Sequence, residues 1–330
     1  MRFKREFVLA PILLLAALAC PDAHVTSVAA PVPDEPAIPS GGPKLRARVE
    51  SSTTLPAAHE RSYRILLSVP EGDPPTGGFP VFYVLDADAW FDAAVAVVRM
   101  REYSKLAPAI VVGVGSPSGA FFDLSRTYDF TPAGVADPDF EGIRTGGAKE
   151  FRAFLRGSLK PWVNKQARVD QSREFLFGHS LGGLFALDTL LAAPDSFDVY
   201  LAASPSIRLF DRAIVKSAAH CGKHAGTNAP RVLVTVGSLE SHPSPALVED
   251  YRRWFIANPK ATGGQPVEEL LGQIFKDEPG FDKTAETRAL AMQLGNCGFA
   301  ATFAEFADEE HTASAISALN RGVPFALRAR

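Results

Sequence analysis

The stretch Arg173-Glu174-Phe175-Leu176-Phe177-Gly178-His179-Ser180-Leu181-Gly182-Gly183 decides how this chain is read. Its first half is a short apolar run of strand character. Residues 181–191 continue it as a buried helix. Between them a serine sits in a G-x-S-x-G turn. A serine hydroxyl is a weak nucleophile, and a sharp strand-to-helix turn lifts it clear of the sheet. Glycines two residues to either side remove the Cβ atoms that would collide in such a turn. The pentapeptide is weak evidence alone, and the strand and helix around it supply the context that gives it weight.

Outward from this turn, strand-like and helical runs alternate, the pattern of a mostly parallel sheet with helices on both faces. Residues 80–85 and 109–114 are continuous apolar runs, suited to central strands buried on both faces. Residues 44–50 and 61–70 read as two antiparallel strands before them. Residues 198–203, 231–236 and 299–306 complete a sheet of about eight strands. Helices are expected over 90–106, over 148–166 with an interruption near Pro161, and over 313–327. Residues 116–147 lack periodicity, and a loop of that length is commonly functional. The fold class is therefore α/β, with neither an internal repeat nor a second domain.

The chain has 330 residues, is 46% hydrophobic and carries a formal net charge of −3. Its basic residues are scattered, so nothing implies a nucleic-acid partner. Residues 1–29 have the form of a secretory signal: Arg2, Lys4 and Arg5, an apolar stretch too short to span a bilayer, then small residues. Cleavage after Ala19 or Ala29 is one reading. Lipidation at Cys20 is the other, with Ala17 standing where such signals usually carry leucine. Residues 30–43 read as a disordered spacer rich in proline and alanine, and 44–330 as one catalytic domain. An exported chain, periplasmic, secreted or lipid-anchored, meets an oxidising environment. Cys221 and Cys297 would then pair as a disulfide, with two buried free thiols as the alternative.

Ser180 needs a base and an acid, and in this architecture they follow the serine in the order acid, then histidine. His311 lies just after the last strand and fits the base. His242 is the runner-up. His179 adjoins the serine but must point elsewhere, His220 and His224 lie at the wrong end of the sheet, and His59 precedes the core. Glu240, in the loop after the 231–236 strand, fits the acid that orients His311. Glu249, Asp250 and Asp308 are alternatives, as is a Ser–His pair working alone. The backbone N–H groups of Leu181 and Asp88 fit an oxyanion hole, provided the Asp88 carboxylate turns away. No histidine and cysteine cluster has metal-ligand spacing, and no cofactor is implied.

The segments 82–88, 111–114, 126–132, 177–183 and 309–311 together resemble the putative-esterase (esterase D-like) family of α/β hydrolases, in its siderophore-esterase branch. The R-T-Y-D-F-T-P run at 126–132 is the more specific of these. The resemblance implies an α/β-hydrolase fold, carboxylic-ester hydrolysis and a small-molecule ester substrate, siderophore trilactones among the options. It also implies a substrate-contacting role for Arg126. An ion pair of Arg126 with Asp129 or Asp123 is the structural alternative. Ala87 departs from the glycine common in the D-x-D loop. Mycolyltransferases are related, so acyl transfer remains open, and so does a non-catalytic binding protein on the same fold.

Overall fold

A computed structural model describes residues 45–328, apart from 135–136, 138–139, 141, 224–228, 260–264 and 276–280. The signal-like residues 1–29, Cys20, residues 30–43 and His224 lie outside the described residues. Eight strands form one sheet in the order β1-β2-β4-β3-β5-β6-β7-β8. In chain order the elements are β1 (Arg48–Pro56), β2 (Ser62–Pro70), β3 (Phe79–Leu85), α1 (Ala87–Tyr103), β4 (Ile110–Gly115), α2 (Arg126–Phe130) and α3 (Ala148–Phe154). There follow α4 (Lys160–Gln166), β5 (Val169–His179), α5 (Leu181–Ala192), β6 (Val199–Ala203), α6 (Leu209–Ala219), β7 (Arg231–Gly237) and α7 (Pro245–Ala257). The chain closes with α8 (Val267–Ile274), α9 (Lys283–Asn296), β8 (Ala300–Phe306) and α10 (Ala313–Leu327). β1 and β2 are antiparallel to each other, and β2 to β4, while the remaining pairs are parallel. This is the α/β-hydrolase arrangement that the sequence reading expects.

Burial explains which runs became central strands. Every residue of β3, β4 and β6 is buried, as continuous apolar sequence requires when helices cover both faces. One face packs Phe151, Leu155, Leu184, Phe185 and Leu290 from α3 through α9. The other packs Trp90, Phe91 and Val98 of α1 against Leu319 and Val323 of α10. A small separate cluster, Tyr251, Phe255, Leu270 and Leu271, joins α7 to α8 beyond β7.

Two expectations shift and one holds. The first strand begins at Arg48 and runs to Pro56, because its pairing with β2, Arg48 opposite Pro70, sets its extent rather than its own largely exposed side chains. The helix over 148–166 is interrupted near Pro161, as expected: a π-helical turn, Leu155–Leu159, joins α3 to α4, and Pro161 is the second residue of α4. Within 116–147 the run 126–130 is a buried short helix, α2.

Cys221 and Cys297 are joined as a disulfide, with their Cα atoms 5.9 Å apart and 76 positions between them in sequence. It ties the end of α6 to the end of α9. Closing a loop of that length in the unfolded chain contributes at most about 4 kcal/mol in the chain-entropy treatment. Denatured but unreduced protein lacking residues 1–29 should therefore show no titratable thiol, and two after reduction. Two before reduction would rule the bond out.

Candidate active site

The end of β5 carries Ser180 into α5 with φ 58° and ψ −117°, a left-handed conformation costly for any residue with a Cβ. Neighbouring backbone over-determines it. Ser180 N–H donates to the Ala203 carbonyl at 3.0 Å, and its own carbonyl accepts from Leu184 at 2.9 Å and Ser206 at 3.1 Å. A Cβ on Gly178 would stand 2.1 Å from the Gly182 carbonyl oxygen, so only glycine lets strand and helix approach this closely. The Ser180 and Ser206 hydroxyls share a hydrogen bond at 3.2 Å. Among the described contacts none joins Ser180 Oγ to His311. Catalytic hydrogen bonds commonly close only when substrate is bound.

The base and acid expected from the sequence do meet. His311, on the loop after β8, places Nδ1 2.6 Å from Glu240 Oε2. Glu240 stands in a 3₁₀ turn, Ser238–Glu240, directly after β7. Its other oxygen, Oε1, accepts from Ser204 Oγ at 2.6 Å and the Gly237 N–H at 2.7 Å. Only 2% of its side chain is exposed. Burial pushes the Glu240 carboxyl up, but the Lys283 ammonium and then His311 more than offset this and hold it well below the usual carboxylate range. The sequence reading did not single out Ser204 or Lys283. Both come from segments far from Glu240 in the chain, and no local pattern links them.

The rival residues are elsewhere. His242 is 80% exposed and faces Asp282 at 3.8 Å. His220 is exposed at the end of α6, and His59 lies in an exposed turn before β2. Glu249 and Asp250 are taken by Arg252 and Arg253, and Asp308 is exposed. His179 does point away from the hydroxyl, and it has work of its own. Its Nε2 lies 2.7 Å from the His311 carbonyl oxygen. A carbonyl only accepts, so Nε2 carries the proton, and the bare Nδ1 is buried with no partner. Burial, reinforced by His311, pushes this imidazole well below its ordinary value and keeps it neutral. The ring packs edge-on to Trp90, at 5.2 Å between centroids.

Leu181 is the first residue of α5 and Asp88 the second of α1, so neither N–H has an intrahelical acceptor. Both helices begin at the end of the sheet that carries Ser180. Asp86 makes the left-handed turn, φ 51°, that starts α1. The Asp88 carboxylate is turned onto Arg64. Arg126 pairs with neither of the two carboxylates that the sequence offered it. Asp129 takes Arg61 and Tyr63, and Asp123 takes Ser116 and Ser118. Arg126 instead grips Asp86 with Nε at 2.7 Å and Nη2 at 2.8 Å, buried between Phe122 and Phe130. Its Nε and Nη2 are thereby committed to the loop before α1, and the residue lines a pocket with Asp86, Asp88 and Ser116. Ala87 is accommodated by β4, since its methyl lies 2.8 Å from where a Cβ on Gly113 would stand.

A family model described as putative esterase matches residues 57–252. The ferri-bacillibactin esterase BesA of Bacillus subtilis is 36% identical over 207 residues, covering 59% of this chain and 72% of the relative. The siderophore enterobactin esterase of Emericella nidulans is 31% identical over 265 residues, covering 74% of this chain and 80% of the relative. Among solved structures, the siderophore hydrolase EstA from Aspergillus nidulans superposes with a TM-score of 0.67 at 29% identity, over 84% of this chain and 94% of that one. With the elbow, the sheet order and these matches together, the chain belongs to the putative-esterase family of α/β hydrolases, in its siderophore-esterase-like branch.

Proposed function

We propose that this chain is an exported serine esterase that hydrolyses siderophore esters through an acyl-enzyme intermediate. The observation that carries the reading is the 2.6 Å Glu240–His311 contact at the sheet end that also presents Ser180 on a left-handed elbow. Ser180 attacks the ester carbonyl as His311 Nε2 takes its proton. Glu240 holds the ring through Nδ1 and stabilises the imidazolium that forms. The Leu181 and Asp88 N–H groups receive the oxyanion. The imidazolium then gives its proton to the departing alkoxide, and water attacks the acyl-enzyme by the same route in reverse.

The substrate class rests on the relatives, whose names specify ferri-bacillibactin and enterobactin. Export rests on the signal-like residues 1–29 and is supported by the Cys221–Cys297 disulfide, a bond that persists in oxidising compartments. Fractionation of cells expressing the full chain should find the protein outside the cytoplasm, and deletion of residues 1–29 should retain it inside.

Ser180→Ala should lower kcat/KM on p-nitrophenyl esters and on a cyclic catecholate trilactone by on the order of 10³-fold or more. Undiminished turnover by the variant would remove the serine from the reaction. Turnover of aryl esters with none of the trilactone would keep the esterase and discard the siderophore. Glu240→Gln should cost on the order of 10²-fold or more, by spoiling the tautomer and the imidazolium. A loss below about threefold would mean that a Ser–His pair suffices.

His179 makes stability depend on pH. The unfolded chain binds a proton at this imidazole near pH 6.5, whereas the native site excludes it. The native state therefore loses stability as pH falls below about 6.5, by up to about 1.4 kcal/mol per pH unit from this residue. Urea unfolding at pH 7.5 and 5.5 should show that slope reduced in His179→Gln. An identical slope in the variant would assign it to other groups.

A further inference from the structure

Lys283 opens α9, directly after the helix-capping Asp282. Its ammonium sits on Glu240 Oε2, the same oxygen that receives His311, and stands 3.3 Å from His311 Nδ1. The lysine side chain is 16% exposed, and His311 is 33% exposed. A partly buried cation on the carboxylate of a Ser–His–acid set is not required to hold the ring, because one carboxylate oxygen does that alone. It changes the charge count instead.

With Lys283 present, Glu240 and Lys283 sum to zero while His311 is neutral, and to +1 once His311 holds the serine proton. Without it, the same cluster goes from −1 to zero. A buried, uncompensated carboxylate beside the imidazole would draw a solvent proton onto His311 before any substrate arrived, and a protonated imidazole cannot act as base. We propose that Lys283 is a positioning residue of the active site that neutralises Glu240 in the resting state, so that His311 stays free to accept the Ser180 proton. This rests on the catalytic reading of Ser180, His311 and Glu240.

The other charged and titratable groups around His311 are already committed. From β5, His179 is neutral and spends its N–H on the His311 carbonyl. On His311's own loop, Glu310 accepts from the Thr312 and Ala313 N–H groups and from Tyr251 of α7. Glu309 accepts from Ser317 of α10, and Asp308 is exposed. Farther along α9, Glu286 is paired with Arg212 of α6, and Asp282 faces His242. Among these described groups, Lys283 is the cation that touches both members of the pair.

The experiment measures kcat/KM for an aryl ester against pH in wild type, Lys283→Met, Lys283→Gln and Lys283→Arg. Gln can still donate to Oε2 but carries no charge, so it separates charge from hydrogen bonding and serves if the Met variant fails to fold. The acid limb should move to higher pH by about one unit in Met and Gln, an activity loss of about tenfold at pH 5.5 that shrinks as pH rises. Arg should keep the wild-type limb. An unmoved limb in Gln, a loss equal at every pH, or the same displacement in Arg would each overturn the proposal. In parallel, the imidazole resonances are titrated by NMR in a Ser180→Ala background, where no turnover is needed. The His311 midpoint should rise by about one unit when Lys283→Gln is added, and no movement would again overturn the role of Lys283. Activity surviving in Ser180→Ala would instead overturn the serine mechanism, and the NMR reading would remain a separate result.

Discussion

The close approach of β5 to α5 is the constraint on which the rest of the site depends. Gly178 and Gly182 touch at backbone distance, which forces Ser180 into a left-handed turn that its side chain would otherwise avoid. The cost is met by the interior. β5 runs between β3 and β6, and α5 lies buried along nearly its whole length, so the turn has nowhere to relax. That is why the hydroxyl stands free of the sheet while its main chain makes three hydrogen bonds to backbone around it.

Once the serine is fixed, strand order does the remaining placement. β6, β7 and β8 follow β5 in sequence and in space, and each delivers one part at its C-terminal end. Ser204 follows β6, Glu240 follows β7, and His311 follows β8. A parallel sheet brings these ends to one edge although 107 positions separate Ser204 from His311 (311 − 204). The Glu240 carboxylate is the point at which they converge. A buried charge is tolerated only when its lone pairs are filled, and here donors reach both oxygens from three strand ends and a helix. The start of α1 follows the same logic, with carboxylates again met by cations. Asp86 and Asp88 would repel a developing oxyanion, and Arg126 and Arg64 neutralise them.

Much of this was legible in the sequence, for identifiable reasons. Continuous apolar runs marked β3 and β4, because strands buried on both faces carry no polar positions. The elbow and the chain order of Glu240 and His311 are local in sequence once the strands are known. What escaped was long-range pairing between polar side chains. Nothing near Arg126 marks Asp86, 40 positions away, as its partner, while the nearer Asp123 and Asp129 were the natural guesses. The extent of β1 escaped because an exposed edge strand takes its register from its neighbour, not from a hydrophobic pattern.

α9 shows how a residue that no local motif announces can still be read once the helix is in hand. Its buried positions, Thr287, Leu290, Ala291 and Leu294, repeat at helical spacing and face the sheet. Lys283 stands four before Thr287 and seven before Leu290, on the same stripe. A lysine at a core-facing position either snorkels out to water or meets a buried anion. Asp282 caps the helix through the Ala285 N–H, which fixes where the stripe begins, and the Cys221–Cys297 disulfide anchors the far end to α6. With both ends held, the first turn of α9 has one register available, and that register aims the ammonium at Glu240. The charge that tunes the site is thus set by a helix whose own packing has no direct share in the chemistry.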